Sequence, residues 1–203
     1  MTDAVEIVSD LVKIPSVSPF GRNETERRER FERCREVLAY LEEFLQKQGA
    51  QTEQLVFEGG HDKWWYPVPN LYAELTIGDR KAAGHKFLCY MGHIDVVPVG
   101  EEKLWRRPPF SGQIDEGFVW GRGATDMKGS VGAWMSALEE LKAGKGVGVN
   151  LTIGTLITGD EEWAAVNGSD KVLAWMKANG KNPDAFIAVS YTHLRAHETV
   201  LDL

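Results

Sequence analysis

Lys86-Phe87-Leu88-Cys89-Tyr90-Met91 runs directly into Gly92-His93-Ile94-Asp95-Val96-Val97-Pro98. The first six residues form a short apolar and aromatic run of β type. The next seven place an imidazole and a carboxylate two residues apart, where such a strand would end. In extended chain, positions i and i+2 face the same side. Leu151–Ile157 repeats the plan, an apolar run followed by Thr158-Gly159-Asp160-Glu161-Glu162. Other strand-like runs are Gln54–Phe57, Leu71–Ile77 and Ala185–Val189. Helical patterns lie between them. Ala4–Lys13 stops at Pro15; Phe31, Cys34, Leu38, Leu41 and Leu45, with Val37 and Phe44, make one apolar stripe on a long helix ending near Gly49. Two more helices are expected at about Lys128–Ala143 and at Ser169–Ala178. Helices alternating with buried strands predict a layered α/β domain whose chemistry sits in loops at the strand ends.

The chain has 203 residues, 43% of them hydrophobic, enough to bury a core in one domain. Its formal net charge of −7 argues against a nucleic-acid partner, which needs clustered Lys and Arg. Arg27, Arg28, Arg30, Arg33 and Arg35 are interleaved with Glu24, Glu26, Glu29, Glu32 and Glu36, the pattern of a solvated helix face with i to i+4 pairs. Acids at the N-terminus do not fit a secretion signal, and no apolar run has the length of a membrane span. A cytoplasmic protein is expected. Cys34 and Cys89 are too few for a disulfide framework and read as buried thiols. Trp64-Trp65-Tyr66-Pro67 could face a substrate, but packing under a loop is the commoner fate of such residues.

Three acidic loops carry the candidate chemistry. In the first, a His that binds metal needs its second ring nitrogen fixed, and the Asp95 carboxylate could accept that N–H from His93. Taken alone, the pair suits a hydrogen-bonded structural histidine as well. The second, Gly121-Arg122-Gly123-Ala124-Thr125-Asp126-Met127-Lys128-Gly129, leads into a helix and invites comparison with a phosphate-binding turn. It lacks the Gly-Lys-Ser/Thr order, and Asp126 stands where a dinucleotide fingerprint needs a small residue. A carboxylate repels phosphate but is stabilised between cations. In the third loop, consecutive carboxylates would hold protons unless a cation compensates them. Together the loops point to a polynuclear metal site.

The sequences GHIDVVP, then Trp105 to Phe110 (W-x-x-PPF), GRGATDMKG and TGDEE, in this order and spacing, resemble the signature of the M20 metallopeptidases. Pro67-Val68-Pro69-Asn70-Leu71-Tyr72-Ala73, Val97-Pro98-Val99-Gly100 and Val166-Asn167-Gly168 look most like the succinyl-diaminopimelate desuccinylases within it. The resemblance covers roughly residues 1 to 189. It implies a helix-sheet-helix, zinc-peptidase-like catalytic domain and two zinc ions, which cobalt can replace. It further implies that His93 binds one ion, Asp126 bridges both and Glu162 binds the other, with Asp95 orienting His93 and Glu161 as general base. A cis peptide is expected at Asp126-Met127. The implied substrate is a small N-acyl amino acid, N-succinyl-LL-2,6-diaminopimelate, cleaved to succinate and LL-2,6-diaminopimelate in lysine biosynthesis. Another deacylase or a dipeptidase of the family, or a catalytically inactive fragment, are the alternatives.

The pattern breaks after Val189. Tyr191 stands where the family carries a glutamate ligand, and the smaller lid and dimerisation domain, through which family members form homodimers, is absent together with a late histidine ligand. Residues 190–203 look like a short sequence that recurs on unrelated truncated chains. Residues 1–189 are therefore expected to be a truncated catalytic domain of impaired activity and 190–203 a non-native tail. His193, His197 and Glu198 are not expected to act as substitute ligands. An apolar sheet edge left exposed is a further expectation.

Overall fold

The computed structural model describes residues 3–18, 23–59, 66–145 and 148–189. Helix α1 spans Ala4–Lys13 and α2 spans Glu24–Lys47, followed by strands β1 (Gln51–Phe57), β2 (Val68–Ile77) and β3 (Lys86–His93). A small hairpin, β4 (Gln113–Asp115) and β5 (Phe118–Trp120), precedes α3 (Gly129–Glu140), β6 (Leu151–Thr158), α4 (Ser169–Ala178) and β7 (Ala185–Ala188). The main sheet has the order β1-β2-β6-β3-β7. β1 and β2 pair antiparallel, as do β2 and β6, whereas β3 runs parallel to both β6 and β7.

Helices cover both faces, as the alternating pattern requires. On one face α2 lays down Cys34, Val37, Leu38, Leu41 and Leu45, all buried, against Leu71, Ala73 and Leu75 of β2 and Ile153 and Ile157 of β6. Fully burying each such leucine stabilises the fold by about 1.5–3 kcal/mol. Ile7 and Leu11 of α1 and Val131, Met135 and Leu138 of α3 complete this layer. α1 and α3 cross so closely that a Cβ on Gly132 would stand 2.5 Å from Val8 Cγ2, so only glycine fits there. On the other face Val172 and Met176 of α4 pack on Leu55, Tyr72, Cys89 and Leu156. Cys34 and Cys89 are both buried and free.

Local signals explain the helix ends. The Asp3 side chain accepts from the Val5 N–H, and the Asn23 side chain accepts from the Glu26 N–H, each satisfying a first-turn donor. Gly49, at φ +86, takes the left-handed conformation just past α2. Arg30 with Glu26 and Arg33 with Glu36 form the helix-face pairs expected of the mixed-charge run. β1 begins at Gln51 rather than Gln54 because Gln51 pairs with Glu74 across the sheet. The β4–β5 hairpin was not expected from the sequence, since three-residue strands are too short to show alternation; Glu116 and Gly117 turn it at φ +54 and +81. At the sheet edge, β7 leaves Phe186 45% exposed. Trp64 and Trp65 lie outside the described residues, as does the tail 190–203 with Tyr191, His193, His197 and Glu198. Tyr66 is buried, the packing role rather than the substrate-facing one. No helix among the described residues is long and apolar enough to cross a membrane.

Candidate metal centre

Parallel pairing builds the site. β3 and β6 run side by side with His93 opposite Thr158, so the two acidic loops leave the sheet at the same edge. The Ile94 N–H donates to the Thr158 carbonyl at 3.0 Å and carries the pairing one residue further. The segment after α1 then fixes the first loop: Val96 donates to the Ser16 carbonyl at 3.0 Å, and Ser16 Oγ donates to the Ile94 carbonyl at 2.6 Å.

The second loop reaches the same place by a wide turn, Ala124–Lys128, before α3. Gly123 opens it at φ +80, against Val96, where a Cβ would lie 2.3 Å from Val96 Cγ1. The Asp126-Met127 peptide is cis, as the family resemblance led us to expect. Met127 Sδ accepts from the His93 N–H at 3.3 Å. Lys128 is fully buried, and its Nζ donates at 2.8 Å to the carbonyls of both Leu11 and Ile14 at the end of α1. That ammonium satisfies helix-terminal carbonyls and pins the turn that carries Asp126.

His93, Asp126 and Glu162 each offer one donor atom, and these atoms all lie within 4.8 Å of one another. His93 Nε2 stands 3.2 Å from Asp126 Oδ1 and 3.7 Å from Glu161 Oε2. A pocket of about 290 Å³ opens on them, lined by His93, Asp126, Glu161 and Glu162 together with Met127 and Thr158. The structure therefore brings the three expected ligands and the expected base to one cleft.

Asp95 presents two acceptors to His93. His93 Nδ1 lies 3.0 Å from the Asp95 backbone carbonyl and 3.5 Å from its carboxylate. A carbonyl can only accept, so Nδ1 carries a proton, and in the neutral ring Nε2 is left as the donor atom facing Asp126. The carboxylate, 0% exposed, is mainly engaged elsewhere. It accepts from the Glu161 N–H at 3.0 and 3.2 Å and from the Glu162 N–H at 3.0 Å. Asp95 thus ties the His93 loop to the loop of the two glutamates, and its main chain sets the histidine tautomer. Sequence alone points to the side chain because a backbone carbonyl has no letter.

Electrostatics show how crowded the cluster is. Burial pushes the Glu162 carboxyl up to about 7, with the Asp126, Asp95 and Glu161 charges adding and His93 opposing. Burial works against a charged His93, yet hydrogen bonds to Asp126 and Asp95 and the Asp95 and Glu161 charges outweigh it and raise the imidazolium to about 10. Glu162 and His93 thus hold their protons tightly, and a divalent cation would turn the repulsion among the carboxylates into shared attraction. One imidazole nitrogen with carboxylate oxygens is a donor set that suits zinc. The residues fit the metal.

Residues 89–198 match the model of Peptidase family M20/M25/M40, more than half the chain. The chain belongs to this family. The match extends past the boundary expected at Val189. Succinyl-diaminopimelate desuccinylase of Rhodospirillum centenum is 38% identical over 96% of this M20 chain and 44% of its own length. The protein of the same name from Xanthobacter autotrophicus is 36% identical over 88% of the chain and 40% of its own. Among solved structures, human carnosine dipeptidase 1 superposes with a TM-score of 0.72 at 26% identity, covering 92% of the chain and 38% of the dipeptidase. The chain thus spans less than half the length of these curated relatives.

Proposed function

We propose that this chain forms the metal-binding part of a zinc-dependent amide hydrolase in which His93, Asp126 and Glu162 hold the metal. The observation that carries the reading is the convergence of their donor atoms within 4.8 Å from three separate loops. Zinc, where bound, supplies Lewis-acid polarisation of an amide carbonyl and stabilises the negative charge that develops on its oxygen. Glu161 is the general base. Its carboxylate reaches the His93 ring at 3.7 Å while its side chain stays 55% exposed, so it faces the pocket from which an attacking water arrives. It takes that water's proton and returns it to the departing amine. Asp95 holds both glutamates by their N–H groups.

The substrate we propose is N-succinyl-LL-2,6-diaminopimelate, hydrolysed to succinate and LL-2,6-diaminopimelate for lysine biosynthesis in the cytoplasm, by a complete enzyme that works as a homodimer. The 36–38% identity to proteins of that name supports it. A dipeptidase is the second reading, favoured by the 26% identity to carnosine dipeptidase 1. Zinc content after dialysis tests the site: the chain retains zinc and the His93→Ala/Asp126→Ala variant does not. Equal zinc in the two sinks the metal reading. Succinate release from the succinylated diamino acid, set against cleavage of β-alanyl-histidine, separates the two substrates.

A further inference from the structure

Asp160 stands one residue before the proposed base, yet it does not line the pocket. It is 1% exposed, and every partner it has draws the loop inward. Its carboxylate accepts from the Tyr66 hydroxyl at 3.0 Å on both oxygens, from the Ala165 N–H at 3.3 Å and from the Asn167 N–H at 3.1 Å. Asp95 takes the N–H groups of Glu161 and Glu162 from the other side. Two buried carboxylates therefore grip the same short loop, one at its start and one along its return.

The loop closes on itself. A Cβ on Gly168 would lie 2.5 Å from Thr158 Oγ1 and 2.7 Å from the Asp160 carbonyl, so the two ends touch. Ala165 sits at φ +52, a conformation that non-glycine residues adopt only when their surroundings impose it, and its N–H is one that Asp160 accepts. Tyr66 is held in turn by Asn167, whose Nδ2 donates to the Tyr66 carbonyl at 2.8 Å. Asn70, buried in β2, donates to the Asn167 carbonyl at 3.1 Å. A chain of buried hydrogen bonds thus runs from the sheet through Asn167 and Tyr66 to Asp160, and ends one peptide from Glu161.

We propose that Asp160, together with Tyr66, is a positioning unit that sets Glu161 and Glu162 over the pocket by fixing the return of their loop from Thr158 to Gly168. The inference rests on the metal-hydrolase reading above. If Asp160 only packed the fold, its loss would lower stability and leave metal binding by the folded protein unchanged. If it positions Glu162, metal affinity falls with it, because partners that orient a ligand typically contribute about 10–100-fold to affinity.

The test is zinc affinity of the full 203-residue chain, by competition with a chromophoric chelator, for wild type, Tyr66→Phe and Asp160→Asn. The cobalt(II) visible spectrum and amide exchange of residues 161–167 are read on the same samples. We expect zinc to bind roughly 10-fold more weakly to Tyr66→Phe and up to roughly 100-fold more weakly to Asp160→Asn. The cobalt spectrum shifts, and exchange quickens in the loop but not in β3 or β6. Tyr66→Phe removes a single hydroxyl, so it decides the matter should Asp160→Asn fail to fold. Wild-type zinc affinity and an unchanged cobalt spectrum in a folded variant, even with faster loop exchange, overturn the positioning role alone. Wild-type binding no tighter than that of His93→Ala/Asp126→Ala overturns the metal reading, and the positioning role with it.

Discussion

Replacing Asp95 with asparagine keeps the side chain's shape and removes its charge. Oδ2 accepts from Glu161 at 3.2 Å and from Glu162 at 3.0 Å, whereas Oδ1 accepts from Glu161 at 3.0 Å and faces His93 Nδ1 at 3.5 Å. The amide oxygen of Asp95→Asn takes the Oδ2 place, where two contacts survive, and the NH2 group is left against the Glu161 N–H. Hydrogen bonds to charged groups contribute about 1.5–3 kcal/mol each, and neutral ones about half of that. One bond lost and two weakened at a fully buried position amount to a destabilisation of about 3–6 kcal/mol. For a domain of this size that corresponds to a melting temperature lower by about 6–24 °C. Thermal unfolding of the metal-free chain followed by circular dichroism measures it. Zinc competition on the same variant should show affinity about 10–100-fold weaker, because both glutamates lose their anchor. A melting temperature within about 2 °C of wild type, with unchanged zinc affinity, would refute the assignment of Asp95 as the tie between the two loops.

In the metal-free chain Glu162 and His93 hold their protons more tightly folded than unfolded, Glu162 rising from 4.5 to about 7 and His93 from 6.5 to about 10. A raised folded value contributes stability that is complete below the unfolded value and is lost as pH climbs through the folded one. Denaturant midpoints should therefore decline from about pH 4.5 to 7 on account of Glu162, and on toward pH 10 on account of His93; saturating zinc should flatten the slope, and an equally flat profile without metal contradicts the cluster. Gly132→Ala should destabilise by about 1–3 kcal/mol despite alanine's better helix propensity, because its methyl meets Val8 at the α1–α3 crossing; urea unfolding decides, and a stabilised variant means the crossing is looser than described. Burial pushes the Cys89 thiol up to about 12 and raises Cys34 as well. Neither should react with a disulfide reagent at pH 8 until the protein unfolds, and labelling of the native chain at the rate of the unfolded one would place a thiol at the surface.

Much of the architecture is legible because periodicity is written in the letters. The stripe Cys34, Val37, Leu38, Leu41, Leu45 names the buried face of α2, and Ala4–Lys13 and Ser169–Ala178 are helices over the expected residues. Elements too short to show a period escape, the β4–β5 hairpin above all. Within the site, the ligand candidates announce themselves because His93, Asp126 and Glu162 follow strand or turn signals. Asp160, Tyr66, Asn167 and Lys128 do not, because their work is hydrogen bonding to backbone far away in sequence: Lys128 to Leu11 and Ile14, Asp160 to a tyrosine from before β2.

The sequence by itself determined the layered α/β class, the strand ends as the place of chemistry and which imidazole and carboxylates were available to bind a cation. Only the tertiary structure decided that these groups meet, because the meeting depends on β3 and β6 pairing in parallel with His93 beside Thr158, a register that no local pattern encodes. It also decided what each carboxylate does. As letters, Asp95 and Asp160 are carboxylates no different from the ligand candidates, yet burial and the direction of nearby N–H groups make both of them anchors for the loop. Exposure to the pocket leaves Glu161 and Glu162 free to act on what enters it.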